Sequence, residues 1–160
     1  LYDINSAIEN TVIVARNEYK YVADLELDLD ENLPRIPCFP GEINQVILNM
    51  IINAGHAVAA VLDKRETEKG QIRVSTRCGT DCIEIVIRDN GSGIPADIQK
   101  RIFDPFFTTK EVGKGTGQGL AISRSVIVEK HGGDIAVKSK PDKGTEFTIR
   151  LPLGLTEKTP

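Results

Sequence analysis

The chain has 160 residues, 40% hydrophobic and 27% charged, which is enough apolar material for one domain with a proper core. A net charge of −3 and the absence of tryptophan argue against a phosphate-backbone surface and base-stacking platforms, so no nucleic-acid partner is expected. Cys38, Cys78 and Cys82 form no disulfide framework, and no further Cys or His pair is spaced to complete a zinc site; Cys78 and Cys82, flanking residues 79–81, read as two small buried hydrophobes.

The N-terminal LYDINSAIEN contains acids and lacks an apolar core followed by a cleavage site, unlike a signal peptide. A start at Leu1 reads as a piece excised from a longer chain. Ile4 to about Lys20 is predicted helical, with Asp3 or Asn5 as cap. Residues 21–29 alternate as a strand, with Val22, Leu25, Leu27 and Leu29 as its apolar members. The stretch 33–41 carries three prolines and a glycine and is extended or turning. A helix follows from Glu42 to about Lys64. Strands 71–78 and 82–89 flank a three-residue turn. Residues 90–119 are rich in Gly, Thr and Pro and read as a long irregular loop with a short helical piece near 96–103. A third substantial helix runs from Gln118 to Lys130, and strands 134–139 and 145–151 close the chain. The interleaving without strict βαβ alternation predicts a two-layer α/β sandwich with a mixed sheet.

Three segments carry chemistry. Residues 43–62 contain no Asp, Glu, Lys or Arg, although a surface helix normally shows a charged stripe. The amides and His56 make a membrane span costly. At 100° per residue, Asn49, Asn53 and His56 share a stripe about 60° wide. Ile43, Ile47, Met50, Ile51, Ala54, Val58, Val61 and Leu62 fill the neighbouring arc. Gly55 costs about 1 kcal/mol relative to alanine in a helix interior, which hints at a close approach. The stripe reads either as a pocket lining or as a polar patch against solvent.

In strand 82–89 the period of two puts Asp89 on the same face as Ile83, Ile85 and Ile87. A carboxylate ending an apolar row needs strong partners. The Asn90-Gly91-Ser92-Gly93 that follows is good turn chemistry, or room for a flat ring beside glycine backbone. Finally, Gly113, Gly115, Gly117 and Gly119 alternate directly before a helix, where bare amides can cradle phosphates. The spacing is neither a Walker loop nor a G-x-G-x-x-G fingerprint.

Taken in order, NQVILNMIINAGHAV, DNGSGIP, FDPFFTTK, GKGTGQGLAISRSVIVEKHGG and GTEFTIRLP resemble the asparagine, glycine and phenylalanine boxes of the catalytic, ATP-binding domain of sensor histidine kinases. That family belongs to the Bergerat-fold superfamily of gyrase, mismatch-repair and chaperone ATPases. The resemblance covers essentially the whole chain. It implies a mainly antiparallel mixed sheet on about three helices, forming one domain over 1–160, with an ATP lid at about 104–117.

It implies ATP and Mg2+ as cofactors. Asn53 would be the metal ligand, assisted by Asn49, and His56 would reach the phosphates. Asp89 would accept from the adenine amino group, with Gly91 and Gly93 making room for the base and Thr145 closing that end. Ala57 and Ile94 would line the cofactor site. Thr108, Thr109, Lys110, Gly115, Thr116, Gly117, Gln118, Gly119 and Leu120 would be its lid and phosphate contacts.

Hydrolytic relatives carry a glutamate one turn before the magnesium asparagine. Here that position is Asn49, which cannot act as a general base, and phosphoryl transfer to an imidazole needs none. The resemblance therefore implies a protein-histidine kinase of two-component signalling, acting on a histidine of its own dimerisation domain. Neither His56 nor His131 has the acceptor's context, and His131 reads as a helix-end residue. A monomeric, cytoplasmic fragment is expected, from a homodimeric protein upstream of a response regulator, with membrane anchoring of that protein left open. A serine kinase of the anti-sigma type, a conformational ATPase and a degenerate binding module are the competing readings.

Overall fold

The computed structural model describes residues 1–62, 69–105 and 119–154. The elements are α1 (Ile4–Tyr19), β1 (Ala23–Asp28), α2 (Pro40–Leu62), β2 (Gly70–Cys78), β3 (Cys82–Asp89), α3 (Ala96–Gln99), α4 (Gly119–Arg124), β4 (Asp134–Lys140) and β5 (Gly144–Pro152). A π-helical segment, Ser125–Lys130, continues α4. The five strands form one mixed sheet in the order β1-β2-β3-β5-β4, with β1 parallel to β2 and the other pairs antiparallel. The expected two-layer α/β architecture is present.

Helix α1 starts where predicted because the Asp3 carboxylate accepts the Ser6 N–H at 3.1 Å, satisfying a donor that the first turn leaves unpaired. Its buried residues, Ile4, Ala7, Ile8, Thr11, Ala15 and Tyr19, recur at helical spacing and face α2. Helix α2 is the core element. Ile43, Val46, Ile47, Met50, Ile51, Ala54, Val58 and Val61 are all buried, packed between α1 and the sheet. By length and composition α2 could cross a membrane, but its apolar arc is taken up by the protein's own core. The glycine within it has a packing reason: a Cβ on Gly55 would lie 3.1 Å from the Glu18 carbonyl oxygen, so α1 and α2 cross closely there.

Ile72, Val74 and Thr76 of β2, Ile83, Ile85 and Ile87 of β3 and Phe147, Ile149 and Leu151 of β5 are buried on the helical face. The opposite face carries charge in register. Glu84 stands opposite Arg150, and Arg88 opposite Glu146; Asp134 pairs with Arg150, and Lys138 with Glu146. The ion pairs Arg88–Glu146 at 3.6 Å, Arg150–Glu84 at 3.3 Å and Arg150–Asp134 at 3.5 Å bind the three strands across this face.

Several boundaries differ from the sequence reading. Helix α2 begins at Pro40, whose fixed φ suits a first turn, rather than at Glu42. The short helical piece ends at Gln99. The cysteines are a correction. Cys78 is exposed and Cys82 only half-buried: both flank the β2–β3 turn, and Cys82 alternates with the buried Ile83, Ile85 and Ile87, which puts it on the sheet face turned away from the helices. They do not face each other, since the partner of Cys78 is Ile83 and that of Cys82 is Pro152.

Candidate functional site

The uncharged stretch presents two faces. Opposite its buried arc, Asn49 and Asn53 are half-buried and His56 is exposed. The Asn49 Oδ1 accepts from Gln45 Nε2 at 3.1 Å, which holds the amide along the helix surface. A Cβ on Gly119 would lie 3.9 Å from that amide. The first turn of α4 therefore opens beside the asparagine stripe. Leu120, next in that turn, is half-buried against the core.

Asp89 is 6% exposed and ends the apolar row of β3. Its Oδ1 accepts the Gly91 N–H at 2.9 Å. Burial pushes its carboxyl up from 3.8 to about 6, and the backbone N–H bonds from Gly91 and Thr145 offset only part of that. A buried carboxylate held by amides instead of a cation keeps acceptor capacity for an incoming donor.

The loop after Asp89 is welded to two neighbours. Ser92 N–H donates to the Ala57 carbonyl at 3.0 Å, and a Cβ on Gly91 would fall 2.4 Å from the Ala57 carbonyl carbon. Gly93 adopts φ +70°, with the Lys140 carbonyl oxygen 2.0 Å from where its Cβ would be. At both glycines the missing Cβ faces the chain's own backbone, so packing accounts for them here. On the hairpin side, Asp142 N–H reaches the Ser92 carbonyl at 2.7 Å. Ile94 N–H donates to Ser139 Oγ at 2.7 Å. Thr145, 4% exposed, stands opposite Asp89 in the β3–β5 ladder and 2.8 Å from Ser139 Oγ.

Ser139 is the residue that the sequence reading missed. It lies in a short strand where a serine gives no period or motif signal; only its parity with Ile135 places it on the helical face. A groove of about 840 Å3 borders this corner and is lined by Asp89, Ser139 and Thr145 together with Arg73, Arg88 and Lys143. Neither Asn49 nor Asn53 lines it. Thr108, Thr109, Lys110, Gly115, Thr116, Gly117 and Gln118 lie outside the described residues.

His131 is buried as a joint. Its Nδ1 is 2.7 Å from the Val126 carbonyl oxygen and its Nε2 accepts the Phe39 N–H at 3.0 Å. A carbonyl can only accept and an N–H can only donate, which fixes the Nδ1–H tautomer. Phe39 packs edge-on against the ring, with centroids 5.5 Å apart. Both ring nitrogens are engaged, in keeping with the expected helix-end role.

Among the described residues no group of three or more His, Cys, Asp or Glu could hold a metal. The asparagine stripe fits only a hard cation that takes most of its ligands from elsewhere, as magnesium does with phosphate oxygens and water.

Residues 40–155 match the sequence profile of the family described as histidine kinase-, DNA gyrase B- and HSP90-like ATPase. The sensor histidine kinase ZraS of Escherichia coli (strain K12) is 36% identical over 159 residues, 99% of this chain and 32% of that protein. The signal transduction histidine-protein kinase AtoS of the same strain is 39% identical over 152 residues, 94% of this chain and 23% of that protein. The chain thus spans a third or less of these two relatives. Among solved structures, the catalytic domain of histidine kinase ThkA superposes with a TM-score of 0.79 at 27% identity, covering 96% of both chains. Full-length ShkA in complex with AMPPNP gives 0.77 at 25% identity, covering 97% of this chain and 31% of that one.

Proposed function

Because the chain belongs to the histidine kinase-, DNA gyrase B- and HSP90-like ATPase family, we propose that it binds ATP with magnesium between α2 and the β3 end. On this reading it donates the γ-phosphoryl group to a histidine on a separate dimerisation domain, as the catalytic domain of a two-component sensor kinase. The observation that carries this is Asp89, a desolvated carboxylate whose fixed partners are backbone amides, followed by a turn that packs on the helix bearing the asparagine stripe. ZraS is by name a sensor histidine kinase and AtoS a signal transduction histidine-protein kinase, and ShkA has been solved in complex with AMPPNP; these support the reading.

The roles on this reading are those that the family resemblance implies. Asp89 accepts from the adenine amino group, while Gly91, Gly93, Ile94 and Ala57 form the floor under the base and Thr145 closes its edge. Asn53, with Asn49 a turn earlier, would hold the magnesium, and His56 at the exposed end of the stripe would reach the phosphates. Bound magnesium bridges phosphate oxygens and neutralises their charge. Gly119 and Leu120 bring the first turn of α4 to the phosphates, and Gly117, Gln118 and the lid at about 104–117 would complete that cradle. Asn49 occupies the place of a water-activating carboxylate, and a neutral amide cannot remove a proton, so transfer to an imidazole is favoured over hydrolysis. In the longer protein the domain would be cytoplasmic and part of a homodimer, with a response regulator taking the phosphoryl group onward.

The test mixes this chain with a dimerisation domain carrying an acceptor histidine and with γ-labelled ATP. Acid-labile, base-stable label on the partner is expected. Release of free phosphate at the same rate with and without the partner, and no label on the partner, would overturn the kinase assignment.

A further inference from the structure

Asp89 on β3, Thr145 on β5 and Ser139 on β4 are successive partners in the strand ladders, so they form one polar row at the end of the buried sheet face. A serine hydroxyl has one proton to donate and two lone pairs to offer. Ser139 uses all three. Its proton goes to the Gly144 carbonyl at 2.9 Å, which can only accept. One lone pair takes the Ile94 N–H at 2.7 Å. What remains for Thr145 Oγ1, 2.8 Å away, is a lone pair, so in that contact Thr145 is the donor.

With its proton committed to Ser139, the Thr145 hydroxyl meets everything else as an acceptor. Its other row neighbour, Asp89, is an acceptor too when ionised. Resting on the nucleotide reading above, we propose that Ser139 is a specificity-determining positioning residue. By taking up the Thr145 proton it leaves the base end of the site lined with acceptors. Such a surface fits the 6-amino group of adenine and repels the 6-oxo group of hypoxanthine or guanine. Thr145 and Asp89 are 4% and 6% exposed, and in so dry a corner water does little to relieve an acceptor facing an acceptor.

The experiment compares the affinities of this chain for ATP and for inosine triphosphate, whose bases differ at the six-position edge. Wild-type protein prefers ATP. In Ser139→Ala the Thr145 proton is released and can turn to a 6-oxo group. The ATP-to-ITP ratio then falls roughly three- to tenfold, the worth of one neutral hydrogen bond. Ser139→Thr, which keeps the hydroxyl, restores the ratio. In a Thr145→Val background the Ser139→Ala change leaves the ratio where it was, because Ser139 acts through Thr145. Ser139→Cys, of similar volume but a poor hydrogen-bond former, gives the same readout if the alanine variant does not fold.

An unchanged ratio in a folded Ser139 variant, or an equal fall in the Thr145→Val background, overturns the inference while leaving the nucleotide site standing. Wild-type protein that binds ATP and ITP alike overturns the reading of the base end itself, and this inference with it.

Discussion

Asp89 is the residue on which stability and binding pull in opposite directions. With its carboxyl raised from 3.8 to about 6 by burial, ionisation in the folded chain carries a penalty that is absent below the unfolded value. The penalty grows as pH rises from about 4 and is complete above about 6, near 3 kcal/mol at about 1.4 kcal/mol per pH unit. Relative to Asp89→Asn, wild-type protein should therefore lose about that much folding stability between pH 4 and 7, as measured by denaturant titration across the range. A constant difference would show that the carboxyl is not desolvated. The same Asp89→Asn variant should stay folded yet show no nucleotide binding by calorimetry. Asn53 tests the other end of the site. Asn53→Ala should bind ATP almost equally with and without magnesium, and identical wild-type titrations in the two conditions would remove its ligand role.

At the scale of elements, the turn from the π segment to β4 is fastened to the start of α2. His131 bridges the Val126 carbonyl and the Phe39 N–H, and the adjacent Lys130 ammonium pairs with Glu42. His131→Ala should cost about 1–3 kcal/mol, the penalty of leaving buried polar partners unmatched. Thermal unfolding checks this, and a loss under 0.5 kcal/mol would be within the range of an ordinary surface change. The elements were largely legible in the sequence because their signals are one-dimensional: the period of two through Ile83, Ile85, Ile87 and Asp89, and the uncharged run in α2. The π segment was not, because side-chain spacing does not record which carbonyl each N–H selects. Ser139 was hidden for a related reason. Its importance comes from three partners on other segments, Ile94, Gly144 and Thr145, which only the folded sheet brings together. The cysteines misled because apolar character was read as burial, although both flank the β2–β3 turn and the strand period turns Cys82 to the outer face.

For the whole molecule, the two histidines decide what the chain can do alone. His131 is buried with both ring nitrogens engaged, and His56 lies on the same helix as the residues proposed to grip the phosphates. Incubated by itself with γ-labelled ATP, the chain should carry no acid-labile label; stoichiometric self-labelling would show that an acceptor lies within it. The face of the sheet turned away from the helices bears on how the chain reaches this structure. Exposed ion pairs such as Arg150–Glu84 add little to the stability of the finished fold. The buried faces of β3 and β5, however, repeat Ile, Ile, Ile against Phe, Ile, Leu at a period of two, so a slip by two residues would still put apolar groups inward. It is the outward charges that tell the alignments apart. Glu84 and Arg88 meet Arg150 and Glu146, and these meet Asp134 and Lys138, in one alignment only. A slip by two residues would break every one of these pairings, and a slip by four would oppose like charges, so side chains that scarcely strengthen the native sheet disfavour its misaligned competitors.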